Sequence, residues 1–107
     1  MNRELRIAVV TVPTAGTPIT NVAPFNNNGT RFTPECTITA LGTNTDNMKV
    51  GGSDFATNRF KTLAPLQSTT FKAPENSVID MSLLTFDAIV SGESVEVSYT
   101  IPAPAYQ

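Results

Sequence analysis

The stretch Met48-Lys49-Val50-Gly51-Gly52-Ser53-Asp54-Phe55 is a short apolar strand that ends at a pair of glycines. A glycine-rich loop that binds phosphate needs a helix directly after it and usually a lysine beside it. Here Phe55 and further loop residues follow instead. The stretch therefore predicts a strand terminator, with an Asx-type hydrogen bond from Ser53 or Asp54, where the chain turns sharply between two sheets.

Alternating residues on both sides of this stretch predict further strands. Residues 36–41 alternate between an apolar face and a threonine-rich face, so that Cys36 is expected in the core. Residues 86–90 and 95–101 predict a hairpin, with the second strand directing every other side chain to the core. Between them and the opening stretch, residues 78–84 predict one turn of 3-10 helix leading into a strand.

The N-terminal part of the chain predicts one long strand and a series of turns. Residues 6–12 are mostly apolar on both faces, which is typical of a strand that is central in a sheet or covered by a partner. Residues 19–25 predict a second short strand that Pro24 interrupts. Asn28-Gly29 suits the two positive-φ positions of a type I′ hairpin turn.

Together these patterns predict one all-β domain. A chain of 107 residues is one domain at most. About six to eight short strands separated by turns every eight to twelve residues or so are typical of an antiparallel β-sandwich. We expect an N-terminal arm at residues 1–5, the β-sandwich at 6–101 and an extended C-terminal tail at 102–107.

The residue types present exclude several kinds of chemistry. The chain has one cysteine and no histidine, so an intrachain disulfide, a cysteine metal cluster and a Ser-His-Asp arrangement are all excluded. Acidic residues lie in or near predicted loops without the close spacing of a calcium site, and we expect solvated turn acids at Asp46, Asp54, Asp80 and Asp87. The sequence therefore predicts no catalytic residue, no metal and no cofactor.

Charge and hydropathy narrow the choice of partners. Only 15% of the residues are charged and the net charge is −2, without a basic patch, so no nucleic-acid partner is expected. No apolar run is long enough for a membrane span, and the first residues do not resemble a signal peptide. The abundant threonine and asparagine suit a surface covered by neighbouring proteins, and equally suit an ordinary β-rich domain.

A series of short segments resembles small β-sandwich virion structural proteins of tailed bacteriophages. The segments are, in order, Thr-Ile-Thr-Ala (37–40), Met-Lys-Val-Gly-Gly-Ser-Asp (48–54), Thr-Thr-Phe (69–71), Ile-Asp-Met-Ser (79–82) and Val-Glu-Val-Ser-Tyr (95–99). The chain departs from the pattern at Pro65-Leu66-Gln67, where a Gly-Glu turn is expected, and at Phe55, where valine is more usual.

The resemblance implies a non-enzymatic role in the virion. A protein of this kind is a capsid decoration (cement) protein, a head-fibre base or a component of the tail or neck. Its partners would be the major capsid protein and copies of itself, as a homotrimer. The expected location is the virion, after synthesis in the bacterial cytoplasm.

The first strand and the C-terminal tail are the segments we expect to touch a neighbouring subunit or the capsid, since exposed edges and arms invite strand addition. The predicted contact residues are Arg6, Ile7, Val9, Val10, Val12, Pro102, Pro104 and Tyr106. The alternative function is a host-surface or carbohydrate-binding module, which would need an exposed polar patch such as that around residues 26–28 or Asn58.

Overall fold

A computed structural model of the chain describes residues 2–102. In this part of the chain the regular elements are strands and two single turns of 3-10 helix. The strands are β1 (Arg3–Thr11), β2 (Ile19–Thr20), β3 (Phe32–Thr33), β4 (Glu35–Ala40), β5 (Met48–Gly51), β6 (Phe60–Leu63), β7 (Ser68–Lys72), β8 (Ile79–Asp80), β9 (Thr85–Ala88) and β10 (Ser94–Pro102), and the 3-10 turns are Phe55–Thr57 and Met81–Leu83.

The strands form two main sheets, and the prediction of an all-β antiparallel sandwich is confirmed. The first sheet has the order β1-β10-β4-β7 and the second the order β2-β9-β5-β6, while β3 and β8 form a separate small ribbon. Every pairing is antiparallel. Ten strands are present in residues 2–102, more than the roughly six to eight expected. Three of them, β2, β3 and β8, have only two residues each, too few to show an alternating pattern in the sequence.

The core lies between the two sheets and is built by alternation along the strands. On β10 the side chains of Val95, Val97 and Tyr99 are buried, as predicted, and Glu96 between them is half-exposed. Cys36 on β4 is also buried, and burial raises the pKa of its thiol to about 11. The prediction that this cysteine packs as a small hydrophobic residue is thus confirmed.

The segment between β2 and β3 contributes a core residue that the sequence did not indicate. The predicted strand over 19–25 is limited to Ile19–Thr20, and the chain after it runs as turns. Phe25 points inward from these turns and is fully buried. Its ring meets that of Tyr99 edge-to-face, with 5.2 Å between the ring centroids.

The predicted hairpin over 86–101 is wrong, because β9 and β10 belong to different sheets. The segment between them is held by the loop that precedes β5. The side-chain amide of Asn44 donates to the Ser94 carbonyl oxygen, and its oxygen accepts from the Ser94 N–H. The Glu93 carboxylate accepts hydrogen bonds from the backbone N–H groups of Thr45 and Asp46. These bonds satisfy polar groups that a tight two-strand turn would have paired internally.

The opening stretch ends a strand as predicted, but it does not lead to the other sheet. After β5 the chain passes through the Phe55–Thr57 turn into β6, which pairs with β5 in the same sheet so that Gly51 lies opposite Phe60. The predicted Asx bond is also wrong at Asp54, whose side chain makes no capping bond. Its carbonyl oxygen accepts instead from the Thr57 N–H and hydroxyl.

Two other turn predictions have opposite outcomes. The 3-10 turn expected within residues 78–84 is confirmed at Met81–Leu83, directly before β9, and the Asp80 carboxylate caps it by accepting from the Ser82 N–H. The type I′ turn at Asn28-Gly29 is wrong, since neither residue has a positive φ. The Asn27 side chain accepts from the Gly29 N–H at 2.8 Å, which closes a local turn in place of a hairpin.

The ends of the sandwich extend further than predicted. β1 begins at Arg3 and β10 ends at Pro102, and these two residues are opposite each other in the ladder. Three residues assigned to an N-terminal arm therefore belong to the first sheet, because Leu5 pairs with Thr100 as regularly as Val10 pairs with Val95. Within the described residues no helix is long and apolar enough to cross a membrane.

Candidate docking surface

The predicted turn acids are not all solvated. Asp80 accepts both arms of the Arg31 guanidinium, at 3.0 and 2.5 Å, and also the Ser82 hydroxyl. Asp87 is buried on β9, where it accepts from the N–H groups of Gly16 and Ala88. Within residues 2–102 no group of three or more histidine, cysteine or acidic side chains is placed to hold a metal ion. The Asp80 and Asp87 carboxylates each join two separate segments of the chain by hydrogen bonds.

Asp80 makes stability depend on pH. The Arg31 guanidinium, helped by Ser82, lowers the pKa of the Asp80 carboxyl to about 2. Its ordinary pKa is about 3.9, so the carboxylate contributes stability that is fully present above this value and is lost as the pH falls toward the folded-state pKa. The ion pair joins the segment before β3 to the end of β8.

We expect Asp80→Asn to be less stable than the parent protein at pH 5, and this difference to shrink as the pH falls to about 2. The amide of the variant cannot form the charged bidentate pair with Arg31 at any pH. The parent protein has this pair at pH 5 and loses it as Asp80 is protonated, so the two proteins become similar in stability near pH 2. Melting temperatures measured at several pH values between these limits test the prediction. Asp54→Asn is the control, since the Asp54 side chain makes no capping bond. An Asp80→Asn deficit that is equal at both limits would contradict the assignment.

An apolar groove lies beside the two glycines of the opening stretch. Its volume is about 350 Å³, and its lining residues are Gly51, Gly52, Phe71, Lys72, Ala73, Pro74, Val78, Ile79 and Leu84. Lys72 is the one ionisable side chain among them. General acid–base catalysis needs a group that can exchange a proton near neutral pH, usually with a second group beside it. This groove offers apolar surface and no such pair.

The most exposed apolar surface on regular structure is the outer face of β1. Leu5, Ile7 and Val9 point away from the core at every second residue and are 64%, 58% and 57% exposed. They form a row, here called the β1 stripe, on a strand that is rigidly paired with β10 over nine positions. Contiguous exposed apolar side chains on one face are typical of a surface that another molecule covers.

Hydroxyl groups cover much of the rest of this sheet face. Thr37 and Thr70 are hydrogen-bonded side by side at 2.9 Å, and Thr39 and Ser68 at 2.7 Å. On β10, Ser98 lies opposite Ile7 and next to Thr37. Glu35 and Lys72 lie opposite each other toward one end of β4 and β7. The face thus passes from an apolar stripe to a surface rich in hydroxyl groups, on which the half-exposed Glu96 lies opposite both Val9 and Thr39.

β1 is also an edge strand, and its free side is open to pairing. Among the described residues, no strand lies beyond β1 in the first sheet. Proline, bulges and inward charges protect edges in many proteins. β1 contains no proline and its ladder with β10 runs without a bulge, and its charged residues on the inward parity, Glu4 and Arg6, are paired with each other near one end of the strand. The expectation that residues 6–12 form a central strand is therefore wrong. The alternative, that a partner covers this strand, stays a prediction.

The structure divides the predicted contact residues into three groups. Ile7 and Val9 lie on the β1 stripe, and Arg6 is exposed beside Glu4, to which its guanidinium donates at 2.6 Å. Val10 and Val12 are corrections, because both are buried between the sheets. The remaining ones are at the C-terminus: Pro102 is exposed at the end of β10, while Pro104 and Tyr106 lie outside the described residues.

Leu5 is the surface residue that the sequence interpretation missed. The expected N-terminal arm at residues 1–5 includes it, but Leu5, Ile7 and Val9 share one parity in the sequence and form a single alternating row. The alternative polar patch is less available than expected. The side-chain amide of Asn26 donates to the Asn21 carbonyl oxygen, and the side-chain oxygen of Asn28 accepts from Arg31. Both side chains are therefore already hydrogen-bonded to nearby residues of the chain.

Comparisons of the chain with protein-family models, with curated proteins and with solved structures find no match.

Proposed function

We propose that this protein is a non-enzymatic virion structural subunit, a capsid decoration protein that binds the outer surface of a phage head through the β1 stripe. The resemblance of the sequence to phage β-sandwich proteins suggests the setting. The observation that carries the proposal is the exposure of Leu5, Ile7 and Val9 in one row on a regular strand. By bridging capsid subunits, such a protein stabilises the assembled shell.

The physical basis is binding to one state only. A protein that binds the assembled shell and not its separated subunits stabilises the shell by mass action. Burying the exposed part of Ile7 or Val9, somewhat more than half of each side chain, contributes roughly 1–2 kcal/mol. The hydroxyl groups beside the stripe can donate and accept hydrogen bonds, while the Glu96 carboxylate next to Val9 needs a cation or a hydrogen-bond donor on the capsid as its partner. Each copy can therefore contact the capsid surface through both apolar side chains and hydrogen bonds.

Co-sedimentation with purified capsids tests the proposal. The variant Ile7→Asp/Val9→Asp places two carboxylates in the β1 stripe, and we expect the dissociation constant to rise on the order of 100-fold. The matched control is Leu66→Asp/Val78→Asp, because both side chains are apolar residues elsewhere on the surface that are more than half exposed. The control should bind like the parent protein. Equal binding by the β1 variant would exclude the stripe as the docking surface.

A glycan array distinguishes the carbohydrate-binding alternative. A decoration protein of this kind should show no saccharide preference. A reproducible preference that is lost on Asn58→Ala and retained in the β1 variant would favour the alternative, since Asn58 is exposed at a left-handed turn position far along the chain from β1. The capsid assay and the glycan array are independent measurements, so either function can be excluded without affecting the result for the other.

A further inference from the structure

We propose that two copies of this chain pair through their β1 edges, antiparallel, with the two-fold axis at Ile7. The result is a dimer in which the first sheets of both copies form one continuous sheet. The inference specifies a partner for the same strand on which the proposed function rests. It also differs from the homotrimer that the sequence resemblance implies, because an edge that pairs with itself closes after two copies.

The direction of the backbone groups shows which residues are available. The Val12 N–H donates to the Glu93 carbonyl oxygen at 3.0 Å, which continues the β1–β10 register by one pair. Hydrogen-bonded and non-hydrogen-bonded pairs alternate in an antiparallel ladder. The even-numbered residues Arg6, Ala8 and Val10 therefore bond to β10. The N–H and C=O groups of the odd-numbered residues Leu5, Ile7 and Val9 point to the free edge.

A two-fold axis at Ile7 uses the whole edge. β1 runs from Arg3 to Thr11, so Ile7 is its midpoint and each residue finds a partner in the second copy. The odd-numbered residues then face odd-numbered residues, with Ile7 opposite Ile7 and Leu5 opposite Val9. Each of these pairs exchanges both backbone bonds, about ten in all. The free N–H and C=O groups of the edge are thereby satisfied.

The side chains favour the same register. On the outer face the two β1 stripes meet to form one patch, with three apolar side chains from each copy. On the other face Arg6 lies opposite Ala8, and its charge is already neutralised by Glu4 of its own chain. An axis at Arg6 would place two guanidinium groups opposite each other, which is unfavourable. An axis at Leu5 would pair Glu4 with Arg6 but would leave residues 8–11 without partners in the strand.

The dimer also doubles the proposed docking patch. The combined stripe is centred on the two-fold axis, with a hydroxyl-lined sheet on each side. Two equivalent halves of the patch can contact two equivalent capsid subunits at once, and the second contact then gains from a high effective concentration. A dimer therefore bridges neighbouring subunits, as a cement protein must.

Cysteine cross-linking of the purified protein, without capsids, tests the inference. In the proposed register the Ile7 Cα atoms are about 5.5 Å apart across the axis, within the range that a disulfide spans. Two Leu5 positions are about four residues apart along the strands, roughly 13 Å, which a disulfide cannot span. On mild oxidation Ile7→Cys should form a covalent dimer, and Leu5→Cys, at a similarly exposed site, should form little. The unmodified protein is the second control, since Cys36 is buried.

Sedimentation equilibrium of the unmodified protein completes the test. We expect a dimer whose dissociation constant rises at least tenfold in Ile7→Pro, because proline removes an N–H that faces the free edge and leaves the bonds to β10 in place. Circular dichroism confirms that the variant is folded. A trimer, a monomer at all concentrations, or faster cross-linking of Leu5→Cys would overturn the proposal. Because no capsid is present, such a result would leave the docking function to be judged by its own assay.

Discussion

Replacing Phe25 with alanine is expected to lower the free energy of unfolding by about 3–5 kcal/mol. Phe25 is fully buried and packs edge-to-face against Tyr99 on β10. The substitution removes the transfer free energy of the ring and leaves a cavity that two hydrogen-bonded sheets cannot easily close. Domains of this size are typically stable by about 5–15 kcal/mol in total, so the variant would lose a large part of its stability.

Urea denaturation followed by circular dichroism measures this loss. Phe32→Ala is the matched control, because the same side chain is removed from a position that is 40% exposed. We expect the control to lose about 1 kcal/mol or less, including its contact with the Arg31 guanidinium. Phe25→Leu should fall between the two. Equal losses for Phe25→Ala and Phe32→Ala would show that the turns carrying Phe25 do not close the core.

Phe25 also shows where prediction from sequence ends. Residues on β4 and β10 alternate with a period of two, so the burial of Ile38 and Val97 follows from local sequence. Phe25 stands between a proline and three asparagines, where no period exists. Its burial depends on the position of Tyr99, more than seventy residues away in the chain, and local patterns carry no information on such a contact.

The pairing of strands was harder to predict than their existence. Residues 86–90 and 95–101 have the composition of a hairpin, yet β9 and β10 lie in opposite sheets. The segment between them is joined to the loop before β5 by the bonds of Asn44 and Glu93. Burial raises the pKa of the Glu93 carboxyl, and the hydrogen bonds from Thr45 and Asp46 more than offset this, so its pKa lies below the ordinary value. Polar contacts between two loops that are distant in sequence cannot be predicted from the local sequence of either loop.

The docking surface was predicted in part. Apolar residues on both faces of residues 6–12 indicate a strand with two covered sides, and the inner side is covered by the second sheet. The sequence could not show which parity is the inner one, because Ile7 and Val10 are equally hydrophobic. Pairing with β10 fixes that choice and leaves Leu5, Ile7 and Val9 outside. Only the three-dimensional arrangement separates core residues from candidate contact residues here.

The second large effect is expected at Gly51, at the end of β5. A Cβ atom at this position would lie 2.8 Å from the Arg59 carbonyl oxygen and 3.2 Å from the Phe60 Cβ. The first atom lies on the residue directly before β6 and the second on β6 itself, which pairs with β5, so neither can move away without disturbing the hairpin. We therefore expect Gly51→Ala to lower the free energy of unfolding by about 1–3 kcal/mol, the usual cost of overpacking.

The neighbouring glycine provides the control for this prediction. A Cβ atom at Gly52 meets nothing within 4 Å, and the residue does not have a positive φ. Gly52→Ala should therefore change stability by about 0.5 kcal/mol or less, measured by the same urea denaturation. If both variants lose the same stability, the close approach at Gly51 is not the reason for the glycine pair. If only Gly51→Ala is destabilised, Gly51 is required by the packing of two strands within one sheet. The glycine pair that first suggested a ligand loop would then be explained by the hairpin alone.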